Sequence, residues 1–249
     1  MGCDMQYNML YYPDSRMPSE SELVAKGLQF WPAGPVDYRG YVNRSGGESI
    51  RGTLIVFHGN AGTAVDREYY VPPLGSLGYR VVLAEYPAYG GRKGKLGEQS
   101  FVNDARETVR IAAEKYKGPL YLLGESLGCG VVAAVANDTS LGIAGVVLIT
   151  PWKTLLAVAK DHYPYLPVGW FMKDRYDNGK NLRSFRGKIA VVGAELDEVV
   201  PVRHAKELFT SLPERKRMWI IKGAGHNDWS MHLNMAKWQE IMEFLLDAE

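Results

Sequence analysis

The sequence predicts an α/β fold: a mostly parallel central sheet with helices on both faces and a short helical cap set into it. Three observations predict this. Short, nearly continuous runs of Val, Ile and Leu recur along the chain, each bounded by Gly, Pro or Asp. Strands buried on both faces of a parallel sheet read this way. Stretches with a helical apolar period separate those runs, which is the alternation of βαβ units. Finally, a G-x-S-x-G sequence, Gly124-Glu125-Ser126-Leu127-Gly128, joins one such run directly to an apolar helical stretch.

Taken in order, Val36–Val42 alternates apolar and polar residues and suits an antiparallel edge strand. Buried strands are expected over Thr53–Phe57, Arg80–Glu85, Leu120–Leu123, Val146–Ile149, Ile189–Val192 and Met218–Ile221. From Gln99 to Lys117 the residues Phe101, Ala105, Val109, Ala112, Ala113 and Tyr116 make one helical face. Leu127–Asn137 is apolar nearly all round and should be a buried helix, whereas Met235, Trp238, Met242 and Leu245 form a stripe within Ser230–Leu246. Between Pro151 and Lys188 no strand pattern is present. Aromatic residues there alternate with Pro164, Pro167 and Gly169, which predicts a cap over 151–188 within a single domain of 1–249.

A chain of 249 residues suits one α/β domain. Its 46% hydrophobic and 23% charged residues exclude a disordered chain. The formal net charge is +1, and the run Arg215-Lys216-Arg217 reads as a solvated turn, so nucleic acid is not an expected partner. No apolar stretch reaches the roughly 18 residues of a membrane span, and no signal peptide is visible. A cytoplasmic protein is the expectation. Met1-Gly2-Cys3 leaves N-terminal lipidation at Cys3 as the one route to a membrane, although Gln6 stands where myristoylation wants Ser or Thr. The only other cysteine, Cys129, falls on the expected buried helix, so no disulfide is expected.

The G-x-S-x-G sequence carries the chemistry. A serine between a strand and a helix sits on a tight turn whose glycines let the two elements approach, and its hydroxyl projects above the C-terminal edge of the sheet. Ser126 is therefore the candidate nucleophile, and the N–H of Leu127 a candidate oxyanion donor. A serine hydroxyl needs a base. His226, just beyond the last expected strand, is the best placed. His162 and His232 read as cap or surface residues, His204 as helical and His58 as a loop brace. The base needs an orienting carboxylate, and Asp197 follows the strand Ile189–Val192, with Glu195 and Glu198 as rivals and Asp228 too near His226 in the chain. The loop after Thr53–Phe57, His58-Gly59-Asn60-Ala61-Gly62, is expected to supply the second oxyanion donor through the N–H of Asn60.

Two phosphate-like motifs do not hold. Gly128-Cys129-Gly130-Val131-Val132-Ala133 fits a dinucleotide fingerprint, but no carboxylate follows the next strand. Gly90-Gly91-Arg92-Lys93-Gly94-Lys95 lacks P-loop spacing. No cofactor is expected, and no residue cluster has metal-ligand spacing.

Together with Tyr86-Pro87-Ala88-Tyr89-Gly90, Glu195–Pro201 and Gly223–Asp228, the motifs at 58–62 and 124–128 resemble the α/β-hydrolase family. The likeness is to a group of bacterial hydrolases and eukaryotic acyl-protein thioesterases. Tyr163–Pro167 and Asp174–Asp177 resemble its cap. The resemblance implies the α/β-hydrolase fold, hydrolysis of an ester or thioester without a cofactor, Ser126, Asp197 and His226 as a triad, and Asn60 and Leu127 as oxyanion donors. Many members carry Arg-Gly where this chain has Pro87-Ala88, and the thioesterases carry an N-terminal cysteine cluster rather than a single Cys3.

The expected substrate is a small-molecule acyl ester or thioester of short to medium chain. Trp152, Tyr165, Trp170 and Phe171 are the expected lining of the acyl pocket. A peptidase or amidase on the same triad, and a non-catalytic binding protein of the same fold, are the alternatives.

Overall fold

A computed structural model describes residues 2–44 and 50–246, and the side chains from residue 6 onward. Cys3, the one candidate site for lipidation, therefore lies outside the described side chains. The main sheet has eight strands: β1 (Leu28–Trp31), β2 (Gly40–Asn43), β3 (Gly52–Phe57), β4 (Tyr79–Ala84), β5 (Leu120–Glu125), β6 (Ile143–Ile149), β7 (Lys188–Ala194) and β8 (Lys216–Ile221). Their order is β8-β7-β6-β5-β3-β4-β2-β1. Strands β3 to β8 pair in parallel. Only β2 runs against its neighbours β1 and β4.

The sheet is buried on both sides because each strand alternates its side chains between two apolar layers. Leu54 and Val56 of β3 join Tyr70, Leu74, Trp238 and Ile241 on one side. Ile55 and Phe57 join Phe101, Val109 and Val131 on the other. Helices α1 (Gly2–Leu10) and α2 (Glu20–Ala25) precede the first strand of this sheet, and the second layer is built by helices α4 (Glu98–Lys115) and α5 (Leu127–Ala136). The first is built by a 3₁₀ segment (Ala64–Tyr70), α3 (Val71–Ser76) and the C-terminal helix Met235–Leu246.

Three readings needed adjustment. The strand expected at Val36–Val42 begins only at Gly40, because the preceding residues form a turn that folds Tyr38 into the core. It is also not at the edge, since Leu28–Trp31 lies outside it. The C-terminal helix starts at Met235 rather than Ser230, because Ser230 belongs to a separate short helix, Trp229–His232, and the Asn234 side chain accepts the Lys237 N–H at 3.0 Å to open the next one.

Residues 151–188, the segment expected to be a cap, hold three short helices, Leu155–His162, Val168–Phe171 and Asn178–Asn181. The segment is fastened below by Tyr176, fully buried against the helix of Gly130. The His162 ring meets the Val199 carbonyl at 2.7 Å, and Asp161 pairs with Arg203 and His204. Among the described residues no helix is long and apolar enough to cross a membrane.

Candidate active site

Because β3, β5, β7 and β8 are parallel, the segments that follow them emerge at one edge of the sheet. Those segments carry residues 58–62, Ser126, Asp197 and His226.

Ser126 adopts φ 51°, ψ −113°, a strained conformation for an L-residue, and stands at the sharp turn between β5 and α5. Two glycines permit the turn. A Cβ on Gly128 would lie 1.9 Å from the Phe57 carbonyl oxygen, and one on Gly124 would lie 2.5 Å from that of Gly128. No side chain fits either position. The Leu127 N–H is among the first of α5 and has no acceptor within its own helix. Cys129, one turn on, is buried with its thiol directed at the carbonyls of Gly124 and Ile149. Burial pushes that thiol well above its ordinary range.

His226 reaches back from the loop after β8 and puts Nε2 3.0 Å from Ser126 Oγ. Its Nδ1 lies 2.7 Å from Asp197 Oδ2. A carboxylate only accepts, so Nδ1 carries the proton and Nε2 is left to accept from the serine hydroxyl. Asp197 is buried, and its other oxygen accepts the N–H groups of Val199 at 2.9 Å and Val200 at 2.6 Å. The three residues therefore form one hydrogen-bonded line.

The rival carboxylates have no hydrogen bond to His226. Glu195 pairs with Lys222 and accepts the Gly223 N–H, which stitches the loop of Asp197 to the loop of His226. Asp228 accepts the Gly225 N–H at 2.6 Å. Glu198 is exposed.

The loop at 58–62 passes close to Ser126, since a Cβ on Gly59 would stand 3.7 Å from that of the serine. His58 is buried and braces this loop. Its Nδ1 donates to the Gly59 carbonyl at 2.8 Å, and its Nε2 meets Glu85 at 2.9 Å. The Gly59 carbonyl and the Asn60 N–H belong to one peptide plane, so fixing the former aims the latter.

Sequence patterns missed a second layer. Glu125, directly before Ser126, receives the Arg67 guanidinium at 3.0 Å, the Tyr69 hydroxyl at 2.6 Å and the Tyr70 hydroxyl at 3.1 Å. Burial favours its neutral form, but Arg67 and the two hydroxyls outweigh this and hold its carboxyl below the usual range. A buried-position carboxylate inside the G-x-S-x-G motif was the one available signal, with no partner legible beside it.

The four expected pocket residues are not gathered around a closed pocket. Trp152 is buried in the core, whereas Tyr165, Trp170 and Phe171 are 97%, 87% and 59% exposed. Pro164 and Pro167 carry the chain over the apex of the cap, and the single-turn helix Val168–Phe171 buries none of its residues.

Comparison with known proteins agrees with this architecture. The model of the alpha/beta hydrolase fold family matches residues 52–185. An uncharacterized protein of Mycobacterium tuberculosis is 29% identical over 231 residues, covering 90% of this chain and 81% of its own. The lysophosphatidylserine lipase ABHD12 of Danio rerio is 28% identical over 190 residues, covering 69% of this chain but 50% of its own. Among solved structures, the esterase Pf2001 of Pyrococcus furiosus superposes with a TM-score of 0.72 at 16% identity, covering 95% of this chain and 97% of its own. The monoacylglycerol lipase of Paleococcus ferrophilus gives 0.60 at 19% identity, covering 80% and 96%. At these identities the two structures speak to fold alone. The family match spans more than half of the sequence, and the strand order, the serine turn and the edge at which the loops converge agree with it: the chain belongs to the alpha/beta hydrolase fold family.

Proposed function

We propose that the protein hydrolyses carboxylic esters or thioesters through an acyl-enzyme on Ser126. The observation that carries this reading is the unbroken line from Ser126 Oγ through His226 to Asp197, at 3.0 Å and 2.7 Å. His226 Nε2 takes the serine proton as Oγ attacks the acyl carbon. The N–H groups of Asn60 and Leu127 receive the negative charge that develops on the carbonyl oxygen. His226 then returns its proton to the leaving alcohol or thiol. A water deprotonated by the same nitrogen cleaves the acyl-enzyme. An ester or thioester is favoured over an amide because its leaving group departs with less protonation.

Short to medium acyl chains are the favoured substrates, because the cap is small and its apical aromatics face outward. The relative named a lysophosphatidylserine lipase makes a longer lipid ester the alternative. The test is kcat/KM over p-nitrophenyl esters and acyl thioesters of graded length, together with labelling by a fluorophosphonate probe. Ser126→Ala is expected to remove labelling and to lower kcat on the order of 10⁶-fold. Asp197→Asn is expected to lower it about 10⁴-fold, while Glu198→Gln changes it little. Turnover by Ser126→Ala, or a wild type inert to both probe and esters, would end this reading. An optimum at long acyl chains would replace the preferred substrate without touching the triad.

A further inference from the structure

The N-terminal segment precedes the part of the chain that matches the family model, and it lies along the loop of Asn60. Tyr12 and Pro13 pair in parallel with Ala61 and Gly62. The Tyr12 N–H donates to the Asn60 carbonyl at 2.9 Å. The Asn60 side-chain amide donates back to the Leu10 carbonyl at 2.8 Å. A third bond to the same residue comes from Tyr89, whose hydroxyl donates to the Asn60 carbonyl at 2.7 Å. Further along, the Gly90 N–H donates to the Asp14 carbonyl at 2.7 Å.

The other end of the segment is tied to the base of the cap. The Gln6 side chain accepts the Lys173 N–H at 2.7 Å and donates to the Asp174 carbonyl at 3.3 Å. The Tyr11 hydroxyl donates to the buried Asp174 carboxylate at 2.6 Å. Residues 6–14 thus form a strap from the cap to the loop beside the nucleophile.

We propose that this strap, with Tyr89, holds the Asn60 N–H in line for the oxyanion. The inference rests on the reading of Asn60 as an oxyanion donor. Gly59, just before it, has the widest backbone freedom of any residue, so the peptide plane it shares with Asn60 needs anchoring on both sides. His58 holds the Gly59 carbonyl on one side. The strap and Tyr89 fix the carbonyl and side chain of Asn60 on the other. A donor is useful only within about 0.5 Å and 10–20° of its productive geometry. Removing one outright costs about 10²–10³ in kcat. A loosened donor should cost a part of that. Leu10, Tyr11, Tyr12 and Tyr89 are therefore positioning residues that need not touch substrate.

The test uses full-length Tyr89→Phe and the double variant Gln6→Ala/Tyr11→Phe, each assayed well below its melting temperature. Each is compared with wild type in ester turnover and in its affinity for a trifluoromethyl ketone, which forms a tetrahedral oxyanion on the serine. The matching secondary alcohol, which forms none, is the control. Expected is a fall in kcat of about tenfold for Tyr89→Phe and somewhat less for the double variant, with KM unchanged. Ketone affinity should weaken by the same factor as kcat/KM, and alcohol affinity should stay at the wild-type value. Wild-type kcat in both would overturn the proposal, as would a loss of kcat with no parallel loss of ketone affinity. A wild type that neither turns over ester nor binds the ketone would overturn the triad reading and this inference with it. Full probe labelling of wild type with unaffected point variants would sink the strap alone.

Discussion

Glu125 illustrates how a single residue serves both stability and the geometry of the serine turn. Its carboxylate and the Arg67 guanidinium are both largely withdrawn from water, and the Tyr69 and Tyr70 hydroxyls complete its hydrogen bonding. Breaking such a pair by removing one charge leaves the other buried and uncompensated, at a cost of about 3–5 kcal/mol. Glu125→Gln should therefore destabilise the fold by about that amount near neutral pH. The pH dependence follows from the direction of the shift. The folded-state pKa lies below the ordinary glutamate value, so the contribution is complete above about pH 4.3 and fades as pH falls through the lower folded value. The stability gap between wild type and Glu125→Gln, measured by urea unfolding from pH 7 downward, should hold constant and then narrow in that acid range. A gap that widens on acidification would show that the pair does not behave as an ionised one. At this scale Ser126, Asp197 and His226 were legible in the sequence because each follows a recognisable strand at a short, fixed offset. Arg67, Tyr69 and Tyr70 were not. They lie in an irregular 3₁₀ segment and meet Glu125 across 55 to 58 residues, where no periodicity connects them.

Among the elements, the buried parallel strands were the most legible and the N-terminal third the least. Continuous apolar runs such as Leu54–Phe57 have no other stable destination than a sheet covered on both faces. Leu28–Trp31 escaped because a four-residue edge strand, with only Leu28 and Trp31 buried at its two ends, carries too short a pattern. The stretch Val71–Ser76 shows no helical apolar period and contains Pro72 and Pro73, yet prolines are tolerated in the first turn of a helix. The packing of α5 on β3 is legible only through its glycines. Gly128 lies so near the Phe57 carbonyl that a methyl group must separate helix from strand. Overpacking typically costs 1–3 kcal/mol, and a clash with backbone on both partners belongs at the top of that range. Gly128→Ala is expected to lose about 3 kcal/mol, or about 6–12 °C of melting temperature for a chain of this size. It should also move Ser126 relative to His226 and lower kcat. A variant with wild-type melting temperature and turnover would mean that helix and strand are not in the contact described.

For the molecule as a whole, the family core over residues 52–185 does not account for the architecture by itself. Strands β1 and β2 extend the sheet at one edge and β7 and β8 at the other, and Asp197 and His226 both belong to the part beyond residue 185. The C-terminal helix covers the same apolar layer as Leu54 and Val56. Two layers that run the full width of one sheet have no seam along which the chain would divide, so residues 1–249 should unfold as one unit, cap included. Heat capacity measures this. Unfolding releases about 12–15 cal/mol/K per residue, which for 249 residues is about 3–4 kcal/mol/K. A single calorimetric transition with that heat-capacity step, and with equal calorimetric and van't Hoff enthalpies, is the expected result. A main transition with about half that step, preceded by a smaller one, would instead show that residues 52–185 hold together independently. The acid and base of the proposed triad would then ride on a flank that melts first, and ester turnover should vanish in the early transition while the main one is still to come.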